Sequence, residues 1–542
     1  MVSFPSFLIP LGRAADTVAP AAAGSANPGG LASSAKPDGS TTDDSATFFI
    51  QEYRVEGVHL LSNEQVEEAV YPFLGPGRTK ADVEQARGAL EKAYHDKGWQ
   101  TVAVQIPQQE VADSAVVLQV LETPVGRLRV TGAQYFPPDA IKAAAPSLAE
   151  GKVINFKDVT GDIVGLNQNP DLRVTPVLHA GAEPGTDDVD LQVQDSSPLH
   201  ASVELNNRAS ANTTALRLDT AVRDTDLWQL GHTLGLSYQV APERPADAKV
   251  FSGYYLAPVP GESGLNLMLQ GSKQDSNVST LGGADVVGRG ETIGYRLLLA
   301  LPGGKDFSQS VSLGLDYKHF DQNITAVPGS APLLAPITYW PMSAGYGATW
   351  KGKDIETELN STVTLHLRGL GSGSAAFDTS RFGADGSFIY FRGDLAQTRE
   401  LPAGFQLYGK AQGQVADEPL LSAEQFSAGG LGTVRGYLEA ATVGDNALLG
   451  SIELRSPPLA SHVGLKDADW RVYVFSDAAY QSLNRPLPGQ NAHFDLASIG
   501  AGSWFKLAGH FNASLDAGLP LIDQAATKAG DWRITFRAWA DY

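Results

Sequence analysis

From Leu199 to the C-terminus the chain is a succession of segments of about ten residues in which apolar and polar side chains alternate. Turns rich in Gly, Asp, Asn and Pro separate them. ASVELNN, TALRLDTAV, GHTLGLSYQV, SVSLGLDYKHF, ETELNSTVTLHLRG and RVYVFSDAAY are examples. A period of two is the period of a strand with two unlike faces. In the last segment Trp532, Ile534, Phe536, Ala538, Ala540 and Tyr542 share one face, and Arg533, Thr535, Arg537 and Asp541 the other. A soluble sandwich turns the apolar face inward, and a lipid-embedded barrel turns it outward around a polar lumen. Charged residues on otherwise continuous strands, and an aromatic last residue that completes a strand, favour the barrel. At about 20–22 residues per strand and connection, this stretch holds about 16 antiparallel strands. No run of 18 apolar residues occurs, so no transmembrane helix is expected; barrel strands need none.

The residues before Leu199 have a different texture. Over 47–122 the order reads strand, helix, helix, strand, strand. Val66, Ala69, Val70 and Phe73 mark one helical face, and Val83, Ala86, Leu90 and Tyr94 a second, with Thr79 as its N-cap. Val102, Val104 and Ile106 alternate, as do Val116, Leu118 and Val120. Over 123–196 the order repeats, ending in the strands of Leu172 and Val174 and of Val189, Leu191 and Val193. Each module places two helices on one face of a small sheet. Residues 1–46 are rich in Ala, Gly, Ser and Pro and read as a disordered linker. Met1–Leu11 is apolar but lacks the positive start of a secretory signal, so a precursor start upstream, or a mature form, is expected.

Composition excludes several classes. The net charge of −20 over 542 residues is no footprint for nucleic acid. The absence of cysteine removes disulfides and thiolate metal sites. No GxxxxGK[ST], GxSxG, HExxH or EF-hand pattern occurs, so no nucleotide, catalytic residue, metal or other cofactor is expected. His200, His232, His319, His366 and His510 read as lumen or loop residues.

One stretch interrupts the strands: FSAGGLGTVRGYL, Phe426–Leu438, within a loop spanning 423–446. A glycine-rich run carrying one arginine among apolar neighbours can fold back into a confined space. An arginine there needs a carboxylate, because burying it unpaired costs several kcal/mol or more. Glu453 in GSIELR and Asp477 in VYVFSDAA lie just downstream. Asp477 shares a strand face with Tyr473 and Phe475, and Glu453 shares one with Arg455.

The two modules resemble POTRA domains, through YRVEGVHLLSNEQVEEAV, LEKAYHDKGW and IPQQEVADSAVVLQVLE in the first and LNQNPDLRVTPVLHAGAEPGTDDVDLQV in the second. Two such modules, a barrel-length segment and an internal Val434-Arg435-Gly436-Tyr437 together resemble the TpsB transporters of two-partner secretion, of the ShlB/FhaC/HecB type within the BamA-like superfamily. The resemblance covers Phe48 to Tyr542. It implies a transmembrane antiparallel β-barrel preceded by two α+β POTRA-like modules, with the barrel from 197 to 542 in the outer-membrane lipid of a Gram-negative bacterium and the modules in the periplasm. It implies that the loop enters the lumen and that Arg435 pairs with Asp477 and Glu453 on the wall. The family's F-x-D-x-G stands here as FSDAA, with Ala479 at the glycine position.

The implied function is export of one large TpsA-like exoprotein, haemolysin- or adhesin-like, with an N-terminal secretion domain. The modules would capture it unfolded, by strand addition at an edge near Val102, Val104 and Ile106 or near Leu172 and Val174. The polar inner face of the barrel would carry it as a hydrated chain. Three other readings compete. An insertase of the BamA/TamA type usually carries more than two POTRA modules. A barrel lipase would need a nucleophile motif. A passive porin would need no periplasmic modules.

Overall fold

The computed structural model describes residues 47–109, 114–167, 169–259, 264–279, 286–304, 306–324, 333–465 and 467–542. The linker expected over 1–46 lies outside them. The described chain falls into two compact units, divided between Ser196 and Ser197.

The first unit contains both modules. In the first, Ala115–Leu121 is the central strand. It pairs in parallel with Glu52–Glu56 and antiparallel with Ala103–Gln105. The helices Asn63–Val70 and Lys80–Asp96 cover one face. Each begins with a capping box, Ser62 with Gln65 and Thr79 with Asp82, which satisfies two otherwise orphaned N–H groups. Leu90, Tyr94 and Leu118 meet in a fully buried core. The second module repeats this with Asp187–Asp195 at the centre, Val125–Thr131 parallel to it and Leu172–Ala180 antiparallel. Its helices are Pro138–Ala143 and Phe156–Leu166.

The repeat extends to a carboxylate at the end of each central strand. Glu122 accepts hydrogen bonds from the His59 N–H at 2.9 Å, the Leu60 N–H at 3.0 Å and the Tyr94 hydroxyl at 2.8 Å. Asp195 accepts from the N–H groups of Gln134, Tyr135 and Phe136 at 2.9, 2.8 and 3.0 Å. Burial pushes both carboxyls up, but these donors together hold each below its ordinary value.

The second unit is a closed barrel in which the described residues form sixteen antiparallel strands. One strand is broken at Trp340–Pro341 into Leu333–Tyr339 and Met342–Lys351, which pair with successive parts of Phe307–Ile324. A proline cannot donate to the ladder, so the strand breaks there. The alternation becomes an inside and an outside. Along Asn446–Arg455, Leu448, Ile452 and Leu454 are exposed, and Leu449, Ser451 and Glu453 are buried. The last strand, Arg533–Asp541, closes on the first, Leu199–Asn206, over five residue pairs from Arg537↔Asn206 to Asp541↔Ser202. Arg537 clamps this seam with two bonds to Glu204, at 2.8 and 2.7 Å.

The polar inner face expected of the barrel gives way at one end. At the end opposite the start of Leu199–Asn206, inward-facing Tyr339, Phe388 and Tyr390 pack with Phe377, Leu420 and Leu421 from two loops. Ile389 and Phe391, between and beside them, are exposed on the outer wall. Both faces are apolar there because one meets lipid and the other meets folded-in loops.

Candidate functional site

The loop between the strands Gln406–Ala416 and Asn446–Arg455 turns back into the barrel. Its base is a short ribbon in which Phe426–Ala428 pairs with Thr442–Gly444. The tip between them carries Gly429, Gly430 and Gly436 at φ +106°, +96° and +87°, backbone conformations that favour glycine. Gly436 also lies against the wall. A Cβ placed on Gly518, in the strand Phe511–Pro520, would stand 2.6 Å from the Gly436 nitrogen. Glycine on both sides lets the two backbones touch.

That contact aims Arg435 at the wall. Its backbone N–H donates to Asp477 Oδ2 at 3.0 Å, its Nε to the same oxygen at 2.8 Å and its Nη2 to Oδ1 at 2.7 Å. Nη1 donates to Glu453 Oε1 at 2.6 Å, and Nη2 reaches Ser451 Oγ at 3.2 Å. The guanidinium lies 3.6 Å from the centre of the Phe475 ring, a cation–π contact. Asp516 stands 3.8 Å from Nη1. Arg455 holds the other oxygen of Glu453 at 2.7 and 2.9 Å. Val434 is fully buried, and the Tyr437 hydroxyl lies 3.0 Å from the Ala497 carbonyl and 2.8 Å from that of Ile522. The structure thus brings together Val434, Arg435, Gly436, Tyr437, Asp477 and Glu453. Bidentate bonding in a buried site fixes direction as well as distance.

Two further carboxylates hold the arms of the loop. Glu424, fully buried, accepts from Lys318 Nζ at 2.5 Å, the Tyr339 hydroxyl at 2.7 Å and the Tyr390 hydroxyl at 2.8 Å. Glu439 on the other arm accepts from Arg208 Nε at 2.8 Å. Sequence reasoning missed Ser451, Asp516, Glu424 and Lys318. The available signal was a lone acid in an apolar setting, as in LLSAEQF and NASLDAGLP.

The residues expected to form capture edges are placed differently. Val102, Val104, Leu172 and Val174 turn their side chains into the module cores, and Ile106 packs beside them. Only Ala103–Gln105 of the first segment joins a ladder. Both strands lie at sheet edges, but the outward main-chain groups of Val104 and Val174 are engaged. The Val104 N–H donates to Glu91 Oε2 at 3.1 Å, and its carbonyl accepts from Arg87 Nη1 at 3.3 Å. The Val102 carbonyl lies 3.1 Å from His95 Nε2. In the second module the Asn167 amide does both tasks for Val174, at 2.7 and 3.1 Å. Each helix runs beside the edge strand, which brings these side chains within reach.

Residues 48–123 match the POTRA domain, ShlB-type, and residues 185–505 match the haemolysin secretion/activation protein ShlB/FhaC/HecB. The outer membrane transporter CdiB of Dickeya dadantii is 22% identical over 421 residues, covering 73% of this chain and 70% of that protein. CdiB of Escherichia coli is 23% identical over 180 residues, covering 33% of this chain and 30% of that protein. The solved structure of CdiB from Escherichia coli superposes with a TM-score of 0.67 at 19% identity, over 94% of this chain and 93% of that one, a likeness of fold. The chain therefore belongs to the ShlB/FhaC/HecB family of haemolysin secretion/activation proteins, TpsB-type transporters with a barrel in the outer membrane of Gram-negative bacteria and POTRA modules in the periplasm.

Proposed function

We propose that this transporter exports one large secreted protein, a haemolysin- or adhesin-like exoprotein with an N-terminal secretion domain. The POTRA modules take it up unfolded in the periplasm and the barrel conducts it outward. The observation that carries this reading is the arginine clamp. A loop held inside the lumen by Arg435 on Asp477 and Glu453 is a movable obstacle in a conduit, with a defined bonded position. Capture by strand addition at Ala103–Gln105 or Leu172–Ala180 requires an incoming chain to replace the side chains of Glu91, Arg87 and Asn167 with its own main chain. The exposed apolar outer face fits outer-membrane lipid. The transport needs no nucleotide, nucleic acid, metal or other cofactor, and the protein is not an enzyme.

The test is secretion. The chain, with a working signal peptide, is co-expressed with the exoprotein gene beside it, and the medium is assayed. Arg435→Ala and a deletion of Phe48–Asp195 are run in parallel, with barrel assembly checked by heat-modifiable migration. Secretion by wild type and its loss in both assembled variants is expected. No secretion by wild type, together with poorer assembly of other outer-membrane proteins when the gene is absent, transfers the chain to the insertase reading.

A further inference from the structure

The clamp at Arg435 is not the only obstruction. The connection between the strands Ile355–His366 and Phe388–Glu400 is long and carries the helix Ser374–Ser380. It folds over the lumen rather than away from it. Phe377 on that helix is 1% exposed, packed edge-on to Tyr339 at 5.9 Å and stacked on His366 at 5.4 Å. The chain turns around this ring. A Cβ on Gly386 would stand 3.1 Å from it. His366 ties the two ends of the connection together, with Nδ1 2.6 Å from the Gly386 carbonyl and Nε2 2.9 Å from that of Leu370.

The far side of the connection reaches past the arginine-bearing loop to the connection beyond it. Arg381 Nη2 donates to the Asn484 carbonyl at 3.0 Å and to Asp445 Oδ2 at 3.1 Å. Arg485 returns a bond to the Gly383 carbonyl at 2.9 Å. Asn484 and Arg485 belong to the connection between Ala468–Ser482 and His493–Leu507, several strands further round the barrel. A segment rooted at one place on the rim is thus fastened at another, with Leu420 and Leu421 of the arginine-bearing loop beneath it.

We propose that residues 367–387 form an extracellular lid, latched by Phe377 in its aromatic seat and by Arg381 on the rim beyond the arginine-bearing loop, which must lift for a chain to leave the barrel. The contacts that latch the lid do not involve Arg435, so releasing Arg435 alone leaves the exit closed. This rests on the transporter reading, but its test does not need the exported protein.

The chain contains no cysteine, so an introduced pair has no competitor. A Cβ on Gly383 lies 3.6 Å from the Arg485 Cβ, within the span of a disulfide. Gly383→Cys/Arg485→Cys, purified as the full chain, is studied in planar lipid bilayers, oxidised and then reduced with dithiothreitol. Each single variant controls for strain at Gly383, whose φ is +78°. Loss of channel openings on oxidation and their return on reduction are expected. Phe377→Ala, which needs no bond to form, is expected to open more often than wild type while keeping heat-modifiable migration. An oxidised protein, with its disulfide verified by mass, that opens as often as its reduced form overturns the lid. So does an assembled Phe377→Ala that opens no more often than wild type. If the bilayer results hold while wild type secretes nothing, the lid stands and the export reading fails.

Discussion

Asp477 holds Arg435 by main chain and side chain at once: one oxygen accepts both the backbone N–H and Nε, and the other accepts Nη2. The carboxylate therefore fixes where the loop backbone lies as well as where the charge goes. Arg435→Lys keeps a charge and the backbone bond but loses the fork. Secretion by Arg435→Lys should fall nearly as far as by Arg435→Ala, in barrels that still assemble. Arg435→Ala should destabilise the barrel by about 3–5 kcal/mol in urea titration, since it leaves buried carboxylates unpaired. A double-mutant cycle between Arg435 and Asp477 should show a coupling of about 1–3 kcal/mol.

Glu424 presents the same physics in reverse. Its partner Lys318 is 5% exposed, so Glu424→Gln strands a buried ammonium. A loss of about 3–5 kcal/mol is expected, and Glu424→Gln/Lys318→Met should recover most of it by removing the orphaned charge. Equal losses in the single and double variants would show that the glutamate acts through its tyrosine bonds alone.

The two capped edges make a local prediction. Glu91→Ala and Asn167→Ala each free one outward N–H, those of Val104 and Val174. Hydrogen exchange at these amides should quicken, while global stability shifts by only about 1 kcal/mol, the net worth of a hydrogen bond near water. If the edges receive the exported chain, both variants should also bind its secretion domain more tightly.

Glu122 and Asp195 set an acid limit on the modules. Both carboxyls are held below their ordinary values in the folded state. A depressed carboxyl contributes its full stability above its unfolded value, and loses it as pH falls through the folded one. Exchange protection around His59–Leu60 and Gln134–Phe136 should therefore hold at neutral pH and collapse in the acid range. Glu122→Gln should lower protection at neutral pH and flatten that dependence for the first module only.

The barrel was legible because lipid outside and polar groups inside impose a period of two along most of the strands. The partners of Arg435 were legible because Glu453 and Asp477 lie on the next two strands, at inward positions and close in sequence. Asp516 was not, since it lies two strands beyond that of Asp477 and only the curvature of the wall turns it toward the loop tip. The filled upper lumen was hidden for a different reason. FIYF, Phe388–Phe391, is apolar at every position, and polarity cannot tell a ring facing lipid from one facing a loop. The capping of Val104 depends on how the helix Lys80–Asp96 lies along the edge strand, a tertiary fact with no local pattern.

The seam between Glu204 and Arg537 joins residues 333 positions apart in sequence. No native barrel can exist until nearly the last residue has been delivered, and contacts of such range are slow to form because the intervening chain must first be ordered. Until then the sheet is an open ribbon with two bare edges. The arginine-bearing loop is tied to the same seam, because Glu439 on its outer arm bonds Arg208, two residues beyond the first strand of the seam. If closure of the ring and seating of the loop are coupled through this contact, a variant slow in either should accumulate as the same unclosed intermediate.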